Sequence, residues 1–580
     1  VTTDVDTLTA VALALAAIAT VAVGAYGGRL SRTTSDFLVA SRSVGSRWNA
    51  AAISGEYLSA ASFLGVAGLV AKYGADALWY PVGFTAGYLG LLMFVAAPLR
   101  RSGAYTVPDF AEFRLGSPSA RLAAMTVVVV VCVLYLIPQF QGAGLTMNIL
   151  LGVPVWTGAV AVGAIVIVNV VGGGMRSITF VQAFQYWLKL TAIAVPALAL
   201  TVVFFSDPTG LGQPAPPRVS HATVVDVTTD VIVTVTETDG VTVTGVLDGE
   251  RVSAARITVG SHELASGTVI HLVTGAATPV VEGAPTTGAN WIASGGGLGG
   301  THPLFEVLSL VVATFLGAMG LPHVLVRFYT NPDGRSARRT ALAVIALLSL
   351  FYLFPTLLGV FARVYVPQLL LTGTADAAVL LLPHAAVGGI AGQLLAALVA
   401  AGAIAAFLAT SSGLLVSVAG ALSTDVLRGR VRDFRVAALI GGLIAIALSL
   451  AAGSLELSRT VGLVFAVAAS TLCPLLVLGI WWRGLTAPGA VAGLAVGGVT
   501  SGLATSLAIA GVVDDDVWGG WPAEIIGYPA AVTVPLAFAT MVGVSLASRR
   551  HLPTDLARTF ARMHVPERLG MGIERLPGDH

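Results

Sequence analysis

The residues with chemical potential gather in one short stretch, Ile53-Ser54-Gly55-Glu56-Tyr57-Leu58-Ser59-Ala60-Ala61-Ser62. It puts a carboxylate, a phenol and several hydroxyls in the middle of an otherwise apolar run, 49–70. A run of that length spans a bilayer, since roughly 20 helical residues suffice. A carboxylate at membrane depth costs about 2.5–3.5 kcal/mol on insertion scales, so it marks a site of function unless it serves packing through a partner. Gly55 and its serine neighbours let a helix open. An opened helix inside protein offers carbonyls from one half and amide dipoles from the other, which suits a cation and an anion. On this reading Glu56, Tyr57, Ser59 and Ser62 are candidate substrate contacts. Ser59 stands at the start of the second half-helix, where its hydroxyl and the following amides can hold a carboxylate.

Three further groups belong to the same chemistry. Gln139 and Gln141 follow Pro138 inside an apolar span and read either as inter-helix glue or as substrate contacts. Gly317-Ala318-Met319-Gly320-Leu321-Pro322 interrupts another span, and His323 and Arg327 follow it four residues apart. Pro322, His323 and Arg327 are candidate gate residues, with bonding to the last helix carbonyls as the alternative. Thr410 in an apolar helix is either an ion ligand or bonded back to the carbonyl four residues earlier. No His/Asp/Glu metal spacing and no nucleophile motif accompanies these groups. The chemistry is therefore binding and transport, not catalysis, and no cofactor is expected beyond a coupling ion.

The elements that position these residues are membrane helices. The chain is 56% hydrophobic and 11% charged, with mean hydropathy +0.87; a soluble domain carries about 25% charged residues. Nucleic acid is excluded as a partner, and the two cysteines, Cys132 and Cys473, offer no disulfide framework. The first apolar run lacks a basic lead-in and reads as a retained span. Thirteen apolar spans are expected, at roughly 8–28, 49–71, 77–99, 122–147, 153–173, 178–206, 304–325, 341–366, 388–424, 436–453, 459–482, 486–511 and 529–547. With the N-terminus outside, 24 of the 31 Lys and Arg fall on the inner side. That asymmetry predicts an N-out, C-in protein of the plasma membrane, with a basic cytoplasmic tail.

One connection is unlike the others. Residues 219–283 are Thr/Val-rich, and the runs at 231–236 and 241–244 alternate and end in Asp239-Gly240 and Asp248-Gly249. Asp-Gly between β-branched runs signals a hairpin, so a small β-rich extracytoplasmic insertion is expected, with a Gly-rich linker after it. The predicted organisation is an extra span and loop (1–48), a first five-span block (49–206), the insertion and linker (207–303), a second five-span block (304–482), two further spans (483–547) and the tail (548–580). Five is odd, so the second block enters the membrane in the opposite sense. Two inverted five-span blocks, each opened in its first span, form the core of many ion-coupled transporters.

Five stretches in this order resemble the sodium:solute symporter family, most closely its cation–acetate (monocarboxylate) branch. They are Gly55-Glu56-Tyr57-Leu58-Ser59-Ala60-Ala61-Ser62-Phe63-Leu64-Gly65, Leu134-Tyr135-Leu136-Ile137-Pro138-Gln139 with Gly142-Ala143-Gly144, Gly172-Gly173-Gly174-Met175, Gly320-Leu321-Pro322-His323-Val324-Leu325-Val326-Arg327-Phe328, and Phe465-Ala466-Val467-Ala468-Ala469-Ser470. The resemblance implies an all-α polytopic membrane protein with a leucine-transporter-like 5+5 inverted-repeat core. It also implies uptake driven by sodium, with protons as the alternative ion. The matching sodium site comprises the carbonyls of Gly55, Leu58 and Ala406 and the side chains at Ala409 and Thr410. The sequence departs from the family at Ala409, where many members carry a hydroxyl. It also departs at Thr179, where many carry aspartate and the acetate branch carries threonine.

The substrate expected is a short monocarboxylate of the acetate, propionate or pyruvate class. Lys189 is the only basic residue well inside a span, and none is expected beside the break. Ala318 and Met319 stand where sugar-carrying relatives place an aromatic gate. The rival readings are a carrier of proline, urea or another small solute, and a sensor built on the transporter fold. No added signalling domain supports the sensor.

Overall fold

The computed structural model describes residues 7–28, 44–206, 214–227, 229–372, 375–427, 430–452, 456–510 and 520–566, without the side chains of 26–28 and 174–176. The arginines counted at 29, 32, 42, 428, 568 and 575, and the side chain of Arg176, fall outside that description.

Among the described residues twelve helical stretches are long and apolar enough to cross a membrane. One, Ala61–Ser102, has 42 residues, about 63 Å as a straight helix. It folds back on itself. The Tyr57 hydroxyl, just before it, donates to the Phe84 carbonyl at 2.8 Å although 27 residues separate them, and Gly74 breaks the helix at φ 62°. Counted as two passes, it brings the twelve to the thirteen expected.

The first pass is α1 (Thr7–Gly28). The second is split into α2 (Ser46–Tyr57), a π-turn at Ala61–Gly65 and α3 (Val66–Tyr73). The third combines α4 (Trp79–Gly90), a second π-turn at Leu91–Val95 and α5 (Ala96–Ser102). The short α6 (Val107–Leu115) is capped by Thr106, whose hydroxyl accepts from the Asp109 N–H, and α7 (Pro118–Leu151) is capped in the same way by Ser117. α8 (Val155–Ser206) holds two crossing stretches, Val155–Gly173 and Ser177–Ser206.

After the insertion come α9 (Gly288–Ile292), the split pass α10 (Pro303–Gly320) and α11 (Pro322–Phe328), α12 (Gly334–Tyr365), α13 (Ala378–Ala386), α14 (Gly389–Asp425), α15 (Val431–Ala451) and the split pass α16 (Leu457–Ser470) and α17 (Leu472–Trp481). The last described helices are α18 (Ala487–Ile509), α19 (Trp521–Gly527), α20 (Ala530–Ala547) and α21 (Leu556–His564).

Burial sorts these passes into core and rim. The most apolar windows of α14 and of α16 with α17 are 83% and 89% buried, against 28% for α1. The middle of α14, with Ala400, Ala401, Gly402, Ala403, Ala405 and Ala406 all buried, is almost wholly small side chains. Small residues let helix backbones approach where no water drives association, and α14 accordingly packs against α8 and α7.

The insertion is a seven-stranded antiparallel sheet: β1 (Thr223–Asp226), β2 (Val231–Val235), β3 (Val241–Leu247), β4 (Glu250–Arg256), β5 (Gly260–Leu264), β6 (Val269–Leu272) and β7 (Val280–Val281). The Asp248-Gly249 hairpin is as expected. Both residues have positive φ, 52° and 79°, and Leu247 pairs with Glu250 across them, the backbone of a type I′ turn. The hydrogen bond from the His262 ring, then the Glu263 backbone N–H, hold the Asp248 carboxyl below the usual carboxylate range. Asp239-Gly240 turns the chain but makes no hairpin, because β2 pairs with β5 and β7 rather than β3. The Gly-rich stretch after the sheet is not a free linker. The N–H groups of Gly295, Gly296 and Gly297 all donate to the Asp76 carboxylate at 2.8–3.0 Å. The module is docked on the bundle end, with Arg363 donating to the carbonyls of Ala71 and Pro285.

Candidate functional site

The first break is built by sequence and held by neighbours. α2 stops at Tyr57, and Leu58 (φ −72°, ψ 85°) leaves the helical region. The carbonyls of Gly55 and Leu58 thereby lose the amides they would meet in a continuous helix. Gly55 has to be glycine: a Cβ there would stand 2.2 Å from the Gln182 carbonyl oxygen of α8. Beyond the break, the Ala60 N–H donates to Gln139 Oε1 of α7 at 3.2 Å. The second break lies at Leu321 (φ −71°, ψ 115°), with Pro322 at the first position of α11.

One face of α8 supplies the polar groups around the first break. Thr179, Gln182, Tyr186 and Lys189 recur at helical spacing. Lys189, fully buried, donates from Nζ to the Gly55 carbonyl and to the Leu58 carbonyl at 2.7 Å. Gln182 donates from Nε2 to the Ala409 carbonyl at 2.9 Å, and Tyr186 donates to the Leu347 carbonyl at 3.1 Å. The expectation that no basic residue stands beside the break is therefore corrected. Lys189 sits on it.

Glu56 is in a buried ion pair. Its Oε2 accepts from Arg327 Nε at 2.7 Å, with both side chains 1% exposed. Arg327 also donates to Thr179 Oγ1 at 2.7 Å and to Gln182 Oε1, and its carbonyl accepts from Asn49 Nδ2. The other Glu56 oxygen lies where a Cβ on Gly413 would be, 1.8 Å from it. Arg327 is thus a core residue that ties α2, α8 and α11 together. His323, the other candidate gate residue, is also buried, its ring edge-on to Tyr135 at 5.4 Å.

The other candidates divide. Thr410 Oγ1 donates to the Glu56 carbonyl at 2.6 Å, across to α2 rather than back to the carbonyl four residues earlier in its own helix. Ala406 and Ala409 are fully buried on the same helix. Ser62 Oγ and Tyr352 Oη lie 2.8 Å apart, and Tyr135 faces Ser59. Gln139 is at the break, but Gln141 is not: its Nε2 donates to the Ala452 carbonyl at 3.2 Å, at the far end of α15. Two residues apart on a helix, the two glutamines point to different faces.

Sequence reasoning missed an aromatic shell. The Tyr57 ring meets Tyr88 at 4.8 Å, Phe465 at 6.1 Å and Phe84 at 6.4 Å, all edge-on, and Phe84 stacks on Tyr352 at 6.2 Å. These rings come from four separate passes, so no local pattern announces them. Lys189 and Gln182, by contrast, carry a readable signal in their spacing with Thr179.

Comparison with known proteins fixes the context. The family model described as sodium:solute symporter family matches residues 37–214 and 257–497. The chain belongs to the sodium:solute symporter family. The stretch the family model skips, 215–256, falls within the β insertion. The protein is 28% identical over 98% of its length to an uncharacterized symporter, YwcA, of Bacillus subtilis, covering 99% of that relative. It is 29% identical over 96% of its length to a monocarboxylic acid transporter of Corynebacterium glutamicum, covering 94% of it. Among solved structures it is similar to a Na+-coupled sialic acid symporter in a substrate-bound outward-open state, with TM-score 0.62, 13% identity and coverage of 94% of this chain and 98% of that one. The fold is the leucine-transporter-like inverted repeat, and the protein is a multi-pass membrane symporter of a solute.

Proposed function

We propose that this symporter imports short monocarboxylates of the acetate, propionate or pyruvate class together with a coupling cation, by alternating access. The observation that carries this reading is the charge at the first break. Two buried cations, Lys189 and Arg327, stand against one carboxylate, Glu56. Buried charge is tolerated only when it is balanced, and a monocarboxylate brings the missing negative charge. The aromatic shell of Tyr57, Phe84, Tyr88, Tyr352 and Phe465 gives an apolar body a dry wall. Among the described residues Gln139 Nε2 and the Tyr88 hydroxyl are buried without a hydrogen-bond partner, donors suited to carboxylate oxygens. A relative named as a monocarboxylic acid transporter points the same way. In this reading Ser59 and Ser62 line the substrate side and Glu56 acts through Arg327. The N-terminus lies outside and the C-terminus inside, so a cysteine placed at Thr236 is labelled from outside and one at Ser336 only after permeabilisation.

Uptake of labelled acetate into proteoliposomes tests the substrate class, with sodium and proton gradients imposed separately. Propionate and pyruvate are expected to compete, and glucose and proline are not. Competition by proline alone replaces the monocarboxylate reading with an amino-acid carrier.

A further inference from the structure

The sodium ion that family membership implies would be held by the carbonyls of Gly55, Leu58 and Ala406 and by the side chains at 409 and 410. The residues present do not fit it. Gly55 and Leu58 both accept from Lys189 Nζ, the second at 2.7 Å. The Ala409 carbonyl accepts from Gln182, its side chain is a methyl group, and the Thr410 hydroxyl is directed to the Glu56 carbonyl at 2.6 Å. A hard cation needs several free oxygen ligands, and most of these are spent.

We infer that Lys189 is a tethered cation that fills the ion position at the first break, so that sodium does not bind there. An ammonium is a compact charge with three donors, and two carbonyls released by the break take two of them. Lys189 reaches them from the α8 face that also carries Gln182 and Tyr186, with no exposure to solvent. The charged group acting on it is Glu56, which Arg327 already pairs. The neighbouring helix α1 carries no charged residue, and α7, α12, α14 and α15 carry them only near their ends. Their nearby tyrosines are engaged elsewhere, Tyr352 with Ser62 and Tyr135 against His323. A mobile cation entering the same cluster would face the ammonium at close range in a low-dielectric interior, where like charges repel strongly. A tethered ion balances the carbonyl dipoles but is not carried across. This position therefore adds no sodium to the transport stoichiometry, and Lys189 determines ion specificity.

The inference rests on the symporter reading above, but sodium binding is measured without substrate, so the two fail separately. Radioactive sodium binding and thermal unfolding of the purified full-length protein are compared in sodium and choline chloride. Lys189→Ala is expected to bind about one more sodium per chain than the unsubstituted protein and to gain sodium-dependent stabilisation. Equal sodium binding by the two overturns the inference. Should Lys189→Ala fail to fold, Ala409→Ser keeps the test open with Lys189 in place. An added hydroxyl leaves the half-saturating sodium concentration unchanged if the position is filled, whereas a drop of more than about five-fold overturns the inference.

Discussion

The two broken helices use the same sequence device to different ends. Each carries a glycine that lets a neighbouring backbone come close: Gly55 against the Gln182 carbonyl, and Gly317 against the Phe465 carbonyl, where a Cβ would stand 2.5 Å from the oxygen. What surrounds them differs. The first break faces α8, whose stripe of Thr179, Gln182 and Lys189 is polar, and it is held by an ion pair and by an ammonium on its carbonyls. The second faces α16 and α17, whose Phe465, Ala468 and Leu472 are apolar and buried. There Gly320 packs against the Ala468 carbonyl and the Cys473 amide. The same opening in a helix becomes a charge site or a packed hinge according to the side chains opposite it.

The largest expected effect comes from removing the charge that holds the first break. Arg327→Met leaves Glu56 buried without its cation, which costs about 3–5 kcal/mol. Thermal unfolding in detergent should show the loss, and acetate uptake should vanish. Adding Glu56→Gln should restore much of the stability but not the transport; a strictly additive double mutant would mean that the pair is not coupled.

A smaller effect is expected at the second break, where packing rather than charge is at stake. Gly317→Ala pushes a methyl group against the Phe465 backbone and should cost about 1–3 kcal/mol by overpacking. Unfolding midpoints measure this. A neutral result would show that the hinge has slack, and the contrast between the breaks would then be one of stiffness as well as polarity.

The smallest pair separates the two glutamines. Gln139→Ala strips the Ala60 N–H of its acceptor beside the site, a buried loss of about 1–3 kcal/mol. It should raise the half-saturating acetate concentration. Gln141→Ala removes a half-buried bond to α15 worth about 0.5–1.5 kcal/mol and should leave that concentration unaltered. Equal effects on acetate affinity would place both residues in one site, against the geometry.

The first break falls at Leu58, just past Gly55 and the serine beside it, which stay helical, whereas membrane residence, the pass count and the position of the second break were legible in the chain. They follow from local facts: apolar run length, Gly and Pro interruptions, and a carboxylate where none is cheap. The Asp248-Gly249 hairpin was legible for the same reason, since a two-residue turn is local chemistry. The partners were not. Nothing within ten residues of Glu56 says that Arg327, 271 positions away, closes on it. Nor does anything there say that Lys189 covers the carbonyls of Gly55 and Leu58. The spacing of Thr179, Gln182 and Lys189 says that one face of α8 is polar, but only the packing of α8 on α2 decides what that face meets. Asp239-Gly240 failed as a hairpin because strand pairing is decided across the sheet, and the Gly-rich stretch became a cradle for Asp76 because its amides found a distant carboxylate. Sequence determined where the helices open, because backbone conformation is set by neighbours in the chain. Tertiary structure decided what fills the opening, because charges and hydrogen bonds in a dry interior are satisfied by whatever group the fold brings within about 3 Å.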